Sequence, residues 1–156
     1  MKFDYICDGL PDGLVLIDEA YFDEFDEEML YSLDIMLDTK GRTELIYDFP
    51  GEEWRIVWER ESLLIKDFCD SGKMFIYLCD KDTENCEIEL LDSCEGVHIN
   101  VPSGRLVLVN AGEMIQCLLY PELEMEKLLE INVEPGSYNV ECEDIRGIKI
   151  GKGEIL

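Results

Sequence analysis

The sequence predicts a mainly β fold, a single-domain antiparallel β-sandwich with one or two short α-helices, and three observations carry that expectation. Short runs of Val, Ile, Leu, Tyr and Phe recur along the chain, each closed by Gly, Pro, Asn or Asp, which is the rhythm of strands and turns. Several runs alternate apolar with polar residues, the period of a half-buried strand. One stretch alone, Phe22 to Leu37, repeats its apolar residues at spacings of three and four. At 18.0 kDa, residues 1–156 suit one domain, long enough to bury roughly two-thirds of the unfolded surface without crosslinks.

Taken in order, the expected strands are Phe3–Cys7, Leu14–Ile17, Glu44–Asp48, Glu53–Glu59, Leu63–Lys66, Met74–Leu78, Cys86–Leu91, Val97–Asn100, Arg105–Val109, Met114–Leu119, Leu128–Val133, Ser137–Cys142 and Gly147–Ile150. Within Trp54-Arg55-Ile56-Val57-Trp58-Glu59-Arg60 the even positions through Trp58 are apolar and the odd ones mostly polar, although Val57 blurs the alternation. Between Val133 and Tyr138, Pro135-Gly136 forms a turn in which Pro presets φ and Gly supplies a positive φ.

The helix expected over Phe22–Leu37 places Phe22, Phe25, Met29, Leu30, Leu33, Met36 and Leu37 on one face and acids on the other. Asp23, Glu24 and Asp26 stand near its first turn, where the helix dipole favours them, and Lys40-Gly41 marks its stop. A second short helix is expected from Pro121 through Leu129, with Pro at the first helical position. The segment Leu10-Pro11-Asp12-Gly13-Leu14-Val15-Leu16-Ile17 echoes Val101-Pro102-Ser103-Gly104-Arg105-Leu106-Val107-Leu108, which reads either as a duplication or as ordinary turn chemistry before a strand.

Charge bounds the function. The chain carries 37 Asp and Glu against 13 Lys and Arg, a formal charge of −24, and no Lys or Arg occurs from Phe3 to Thr39. That block raises self-repulsion, opposes binding to nucleic acid or an anionic membrane, and steers a basic protein toward the surface that displays it. The partner-binding residues expected on this basis are Asp18, Glu19, Asp23, Glu24, Asp26, Glu27 and Glu28. At 47 % hydrophobic residues the chain is too apolar for a disordered acidic tail, so the acid coats a folded core.

Seven cysteines, an odd number without a C-x-x-C pair, read as reduced thiols in a cytosol. Asp4 and Asp8 break the first apolar run, which fits no signal peptide, and no apolar stretch reaches bilayer-spanning length. The expectation is a soluble cytoplasmic protein.

No constellation names a chemistry, and no catalytic residue, metal or cofactor is expected. Asp80-Lys81-Asp82-Thr83-Glu84-Asn85 begins like a calcium loop, but Asn85 stands where the loop needs Gly and Leu91 where it needs a bidentate Glu. A polar β-turn is the simpler reading, and the carboxylate pair Asp80 and Asp82 is all that a hydrolase reading has. His98 is the only histidine and sits between Val97 and Ile99 in an expected strand, outward-facing. No G-x-S-x-G surrounds any Ser, the cysteines lack metal-ligand spacing, and Gly147-Ile148-Lys149-Ile150-Gly151-Lys152-Gly153 is a strand and turn, not a phosphate loop.

From Val97 onward the chain resembles bacterial β-sandwich families of the competence-protein-J nuclease inhibitor and polymorphic-toxin immunity protein type. The resemblance rests on Val-Pro-Ser-Gly-Arg-Leu-Val-Leu-Val (Val101 to Val109) and on Ile-Asn-Val-Glu-Pro-Gly-Ser-Tyr-Asn-Val (Ile131 to Val140), and covers about a third of the chain. Where those families often place Asp after the first of these strands, this chain has Asn110. The resemblance implies a non-enzymatic, immunity-type inhibitor of a basic toxin or nuclease, with carboxylates mimicking a phosphate backbone. It assigns no catalytic position.

The other reading is a small-molecule or carbohydrate-binding β-domain, with Trp54 and Trp58 as the ligand platform. Large aromatics in alternating strands more often fill cores. Tryptophan fluorescence separates the two: core indoles are shielded from acrylamide, whereas red-shifted and readily quenched emission supports the platform.

Overall fold

The computed structural model describes residues 1–6, 14–38, 44–49, 52–60, 63–68, 74–79, 85–144 and 147–153. Twelve strands are described: β1 Lys2–Ile6, β2 Leu14–Asp18, β3 Glu44–Phe49, β4 Glu52–Arg60, β5 Leu63–Phe68, β6 Met74–Cys79, β7 Asn85–Ser93, β8 Val97–Val101, β9 Arg105–Asn110, β10 Lys127–Asn132, β11 Gly136–Asp144 and β12 Gly147–Lys152. They form a five-stranded sheet ordered β1-β7-β12-β11-β8 and a seven-stranded sheet ordered β10-β9-β2-β6-β5-β4-β3. The fold is therefore mainly β. Pairing is not wholly antiparallel as expected, because β12 runs parallel to β7.

β2 and β9 organise the molecule. Both are continuous aliphatic runs buried on both faces, β2 along its whole length and β9 from Leu106 onward, as an apolar run without polar alternation requires. Leu14, Leu16, Leu106 and Leu108 pack with Ile88, Ile99, Val101, Tyr138, Val140, Ile148 and Ile150 of the other sheet in one cluster. The alternate residues Val15, Ile17, Val107 and Val109 pack with the helical residues Leu30, Leu33, Ala111, Met114 and Ile115 in a second. The period of two thus sends one set of side chains of each strand toward the five-stranded sheet and the other toward the helices.

The helical layer differs from expectation in three places. The long helix is broken in two: a 3-10 helix spans Glu19–Glu24, Phe25 returns to extended backbone, and α1 spans Glu27–Asp38. Each piece has its own cap, since Ala20 N donates to Asp18 Oδ1 at 2.8 Å and Met29 N donates to Asp26 Oδ1 at 2.8 Å. Second, Met114–Leu119 belongs to a helix and not a strand: α2 spans Ala111–Leu119. Asn110 Oδ1 accepts from Glu113 N at 2.8 Å, and Met114 and Ile115 turn inward above it.

Third, no helix follows Pro121; Leu123 N donates to Tyr120 O at 3.0 Å in a turn, and Lys127–Asn132 is β10. Glu122, Glu124 and Glu126 alternate with Leu123 and Met125, a period of two that suits extended chain. Lys40-Gly41, the expected helix stop, lies outside the described residues.

The echoing segments turn out to be neighbours, with β2 antiparallel to β9 and Leu16 opposite Leu108. Matching Pro11 to Pro102 and Gly13 to Gly104 sets buried Leu14 against exposed Arg105 and exchanges the two faces of the strand. Sliding it by one residue sets Leu14 with Leu106 and Leu16 with Leu108, all in one cluster, and Asp18 with Asn110, both helix caps. The strand-cap-helix unit repeats; Pro11 and Gly13 lie outside the described residues.

Asp18 joins the two segments. Its carboxyl is fully buried and accepts from Ala20 N, from Ser103 N at 2.8 Å and from Ser103 Oγ at 2.5 Å. Gly104, next in that loop, has φ of 76°, and a Cβ there would lie 2.4 Å from Val133 O, which leaves room for glycine only. Asp18→Ala leaves two backbone N–H groups and a hydroxyl without their acceptor, and is expected to destabilise the fold by about 3 kcal/mol. The urea unfolding midpoint measures this.

Candidate functional site

The segment from Asp18 to Glu28 was expected to present seven carboxylates to a partner, and the structure divides them. Asp18 is fully buried and spent on the joint just described, so the expectation that it faces a partner is corrected. Glu19 is drawn into the framework: its Oε1 meets Arg105 Nε at 2.7 Å and its Oε2 meets Lys127 Nζ at 3.0 Å, with only 23 % of its side chain exposed. Those pairs fasten the 3-10 helix to β9 and β10. Bonding to Glu19, with a smaller contribution from Glu130, raises the Lys127 ammonium above the usual lysine range.

Asp23, Glu24, Asp26, Glu27 and Glu28 are all exposed. They surround the junction of the two helices, where Asp26 caps α1 and Glu27 and Glu28 fill its first turn. Carboxylates in a first helical turn are favoured by the helix dipole, which offsets part of their mutual repulsion. The apolar side of the same segment is anchored, because Leu30 and Leu33 are buried and Tyr21, Phe22, Phe25 and Met29 pack against their cluster. Sequence periodicity located this division of faces for Phe22, Phe25, Met29, Leu30 and Leu33, although it ran one helix across the break; the side chains of Met36 and Leu37 lie outside the described residues.

An aromatic element beside the acids escaped the sequence reading. Among the described residues the exposed large hydrophobic side chains are Met1, Tyr31, Leu91, Tyr120 and Leu123. Two of these, Tyr31 and Tyr120, come together where α1 meets the end of α2. Tyr31 is 49 % exposed and its hydroxyl donates to Glu27 Oε1 at 3.5 Å. Tyr120 caps α2, its N–H donating to Gln116 O at 2.8 Å, and lies near enough for its charge to act on the Tyr31 hydroxyl. Leu123 follows in the turn that Tyr120 closes. The signal in the sequence was Tyr31 on the polar side of an otherwise cleanly divided helix.

The remaining candidates fall elsewhere. Trp54 and Trp58 are carried by β4, and their side chains lie outside the described residues, as do Asp80 and Asp82. His98 is exposed on β8, as expected, with Nε2 3.1 Å from Asn100 Oδ1. Cys94 and Cys117 are free thiols, and burial pushes both above the usual range, which disfavours the reactive thiolate at neutral pH. Among the described residues no helix is long and apolar enough to cross a membrane.

No family model, no curated protein and no solved structure matches the chain.

The Glu27 carboxylate, with lesser help from desolvation and from Tyr120, pushes Tyr31 above its ordinary value of 10.0. Tyr31 therefore holds its proton more firmly folded than unfolded, and any stability it contributes is present below pH 10 and lost as pH rises through the folded value. Glu27→Gln should bring the Tyr31 midpoint back down, read from tyrosinate absorbance with Tyr31→Phe as the subtraction control.

Proposed function

We propose that the protein is a small acidic binding protein whose helical face, Asp23, Glu24, Asp26, Glu27 and Glu28 with Tyr31, Tyr120 and Leu123, docks onto a basic protein. The observation that carries this reading is the pairing of an exposed one-sign patch with exposed tyrosines at one junction. Charge supplies encounter, since a concentrated field of one sign raises association rates with an oppositely charged surface. Aromatic side chains supply residence, because they bury large area at small entropic cost and accept cations on their ring faces.

The best-suited partner is a basic toxin or nuclease, whose groove for a phosphate backbone is lined with Lys and Arg. A run of carboxylates stands in for that backbone. This reading makes the protein an immunity-type inhibitor, acting in the cytoplasm and by occlusion, not by catalysis. It agrees with what the C-terminal resemblance implies and is supported separately by the charge.

Charge and aromatic contacts leave different kinetic traces. The triple variant Glu24→Lys, Glu27→Lys, Glu28→Lys should associate with a captured basic partner several-fold more slowly at low salt, and the difference should shrink as ionic strength rises toward 0.5 M. Tyr31→Ala should raise the dissociation rate and leave association nearly unchanged. Surface plasmon resonance across a salt series reads both. An association rate indifferent to the charge reversal overturns the proposal.

A further inference from the structure

One end of the layer between the two sheets is closed by charged side chains instead of apolar ones. Leu90, Leu91, Asp92, Val133, Glu134, Tyr138, Ile150 and Lys152 line an open groove of ≈ 430 Å³ there. Ile150 and Tyr138 belong to the inter-sheet cluster, and Leu90 and Val133 pack against it, so the floor of the groove is the core itself. The rim is polar: Asp92 is exposed, and Lys152 Nζ meets Glu134 Oε2 at 3.4 Å across two largely exposed side chains.

Two backbone devices hold the groove open. In the parallel pair β7·β12, Ile150 stands opposite Leu90 but Lys152 stands opposite Ser93, so β7 carries one residue more than β12 between these pairs. Such a bulge bends the strand and re-aims its side chains, here Leu91 and Asp92. Gly151 sits against it, where a Cβ would come within 2.4 Å of the Ser93 carbonyl carbon. On the opposite wall, Tyr138 Oη donates to Glu134 O at 2.6 Å and fixes the turn that carries Val133 and Glu134.

The volume suits a small organic ligand. Its chemistry follows from the lining: an aliphatic and aromatic floor, and a rim with two carboxylates against one ammonium, on a chain of formal charge −24. Among the described lining residues the one cation, Lys152, is already engaged by Glu134, which leaves little to receive an anion. We propose that this groove binds a small organic cation, a primary amine on an apolar body, with its ammonium at Asp92 and its body on Leu90, Val133, Tyr138 and Ile150. The site shares no residue with the helical face and does not depend on the protein-binding reading.

A matched series of hexylamine, hexan-1-ol and hexanoate tests this by methyl NMR on the full chain. Hexylamine should shift the Leu90, Val133 and Ile150 methyl signals at the lowest concentration, hexanol at a higher one, and hexanoate last. Because the rim is solvent-exposed, each charge carries a modest effect: Asp92→Asn should weaken hexylamine roughly threefold, and Lys152→Met should tighten it by a similar factor. Opposite signs in two surface variants are not what loss of folding produces. Unshifted methyls, hexanoate binding as tightly as hexylamine, or both variants moving affinity in one direction would each overturn the proposal.

Discussion

The helical layer depends on one buried carboxyl. Asp18 ends β2, a strand buried along its whole length, caps the 3-10 helix that follows, and holds the loop leading into β9 through Ser103. A polar group taken fully out of water is costly unless it is hydrogen-bonded, and here its bonds fix the angle at which the chain leaves the sheet. Everything that follows Asp18, from the Glu19 ion pairs to the burial of Leu30 and Leu33, builds on that angle.

The joint also shows how so acidic a segment stays folded. Like charges crowded from Asp23 to Glu28 repel one another, and the structure opposes them from three sides. Asp18 and Glu19 are withdrawn from the field and bonded internally. The start of α1 sets its dipole against Asp26, Glu27 and Glu28. The apolar face is sealed by burial, worth roughly 1.5 to 3 kcal/mol for each fully buried aliphatic side chain. The acids that remain outside stand on a rigid support, which lowers the entropic cost of meeting a partner.

Much of the fold was legible in the sequence because strand formation here is driven by local pattern. Leu14–Ile17 and Leu106–Val109 announced buried strands by unbroken aliphatic runs, and Pro135-Gly136 marked the break between β10 and β11, although these strands lie in different sheets and Gly136 does not take the expected positive φ. Reading failed where two local signals competed. Met114–Leu119 is apolar enough for a strand, but the Asn110 side chain satisfies a free backbone N–H of the first turn and tips the segment to helix. At Asp26 the same kind of cap interrupts a periodicity that by itself runs straight on. Caps decide boundaries by single hydrogen bonds, which hydrophobic periodicity does not register.

The candidate surfaces divide along the same line. Composition and order along the chain determined by themselves that the protein is mainly β, that an acidic block free of Lys and Arg runs from Phe3 to Thr39, and that one helix face is apolar and the other charged; these follow from nearest neighbours and their periods. Only the tertiary structure decided that Asp18 is interior and Glu19 engaged, because both facts need Ser103, Arg105 and Lys127, more than eighty residues away. It alone brought Tyr31 to Tyr120, and opened a groove among β7, β12 and the β10–β11 turn. Surfaces are assembled from elements distant in sequence, and what places those elements together is the shared core and a few long-range hydrogen bonds, which carry no local period to read.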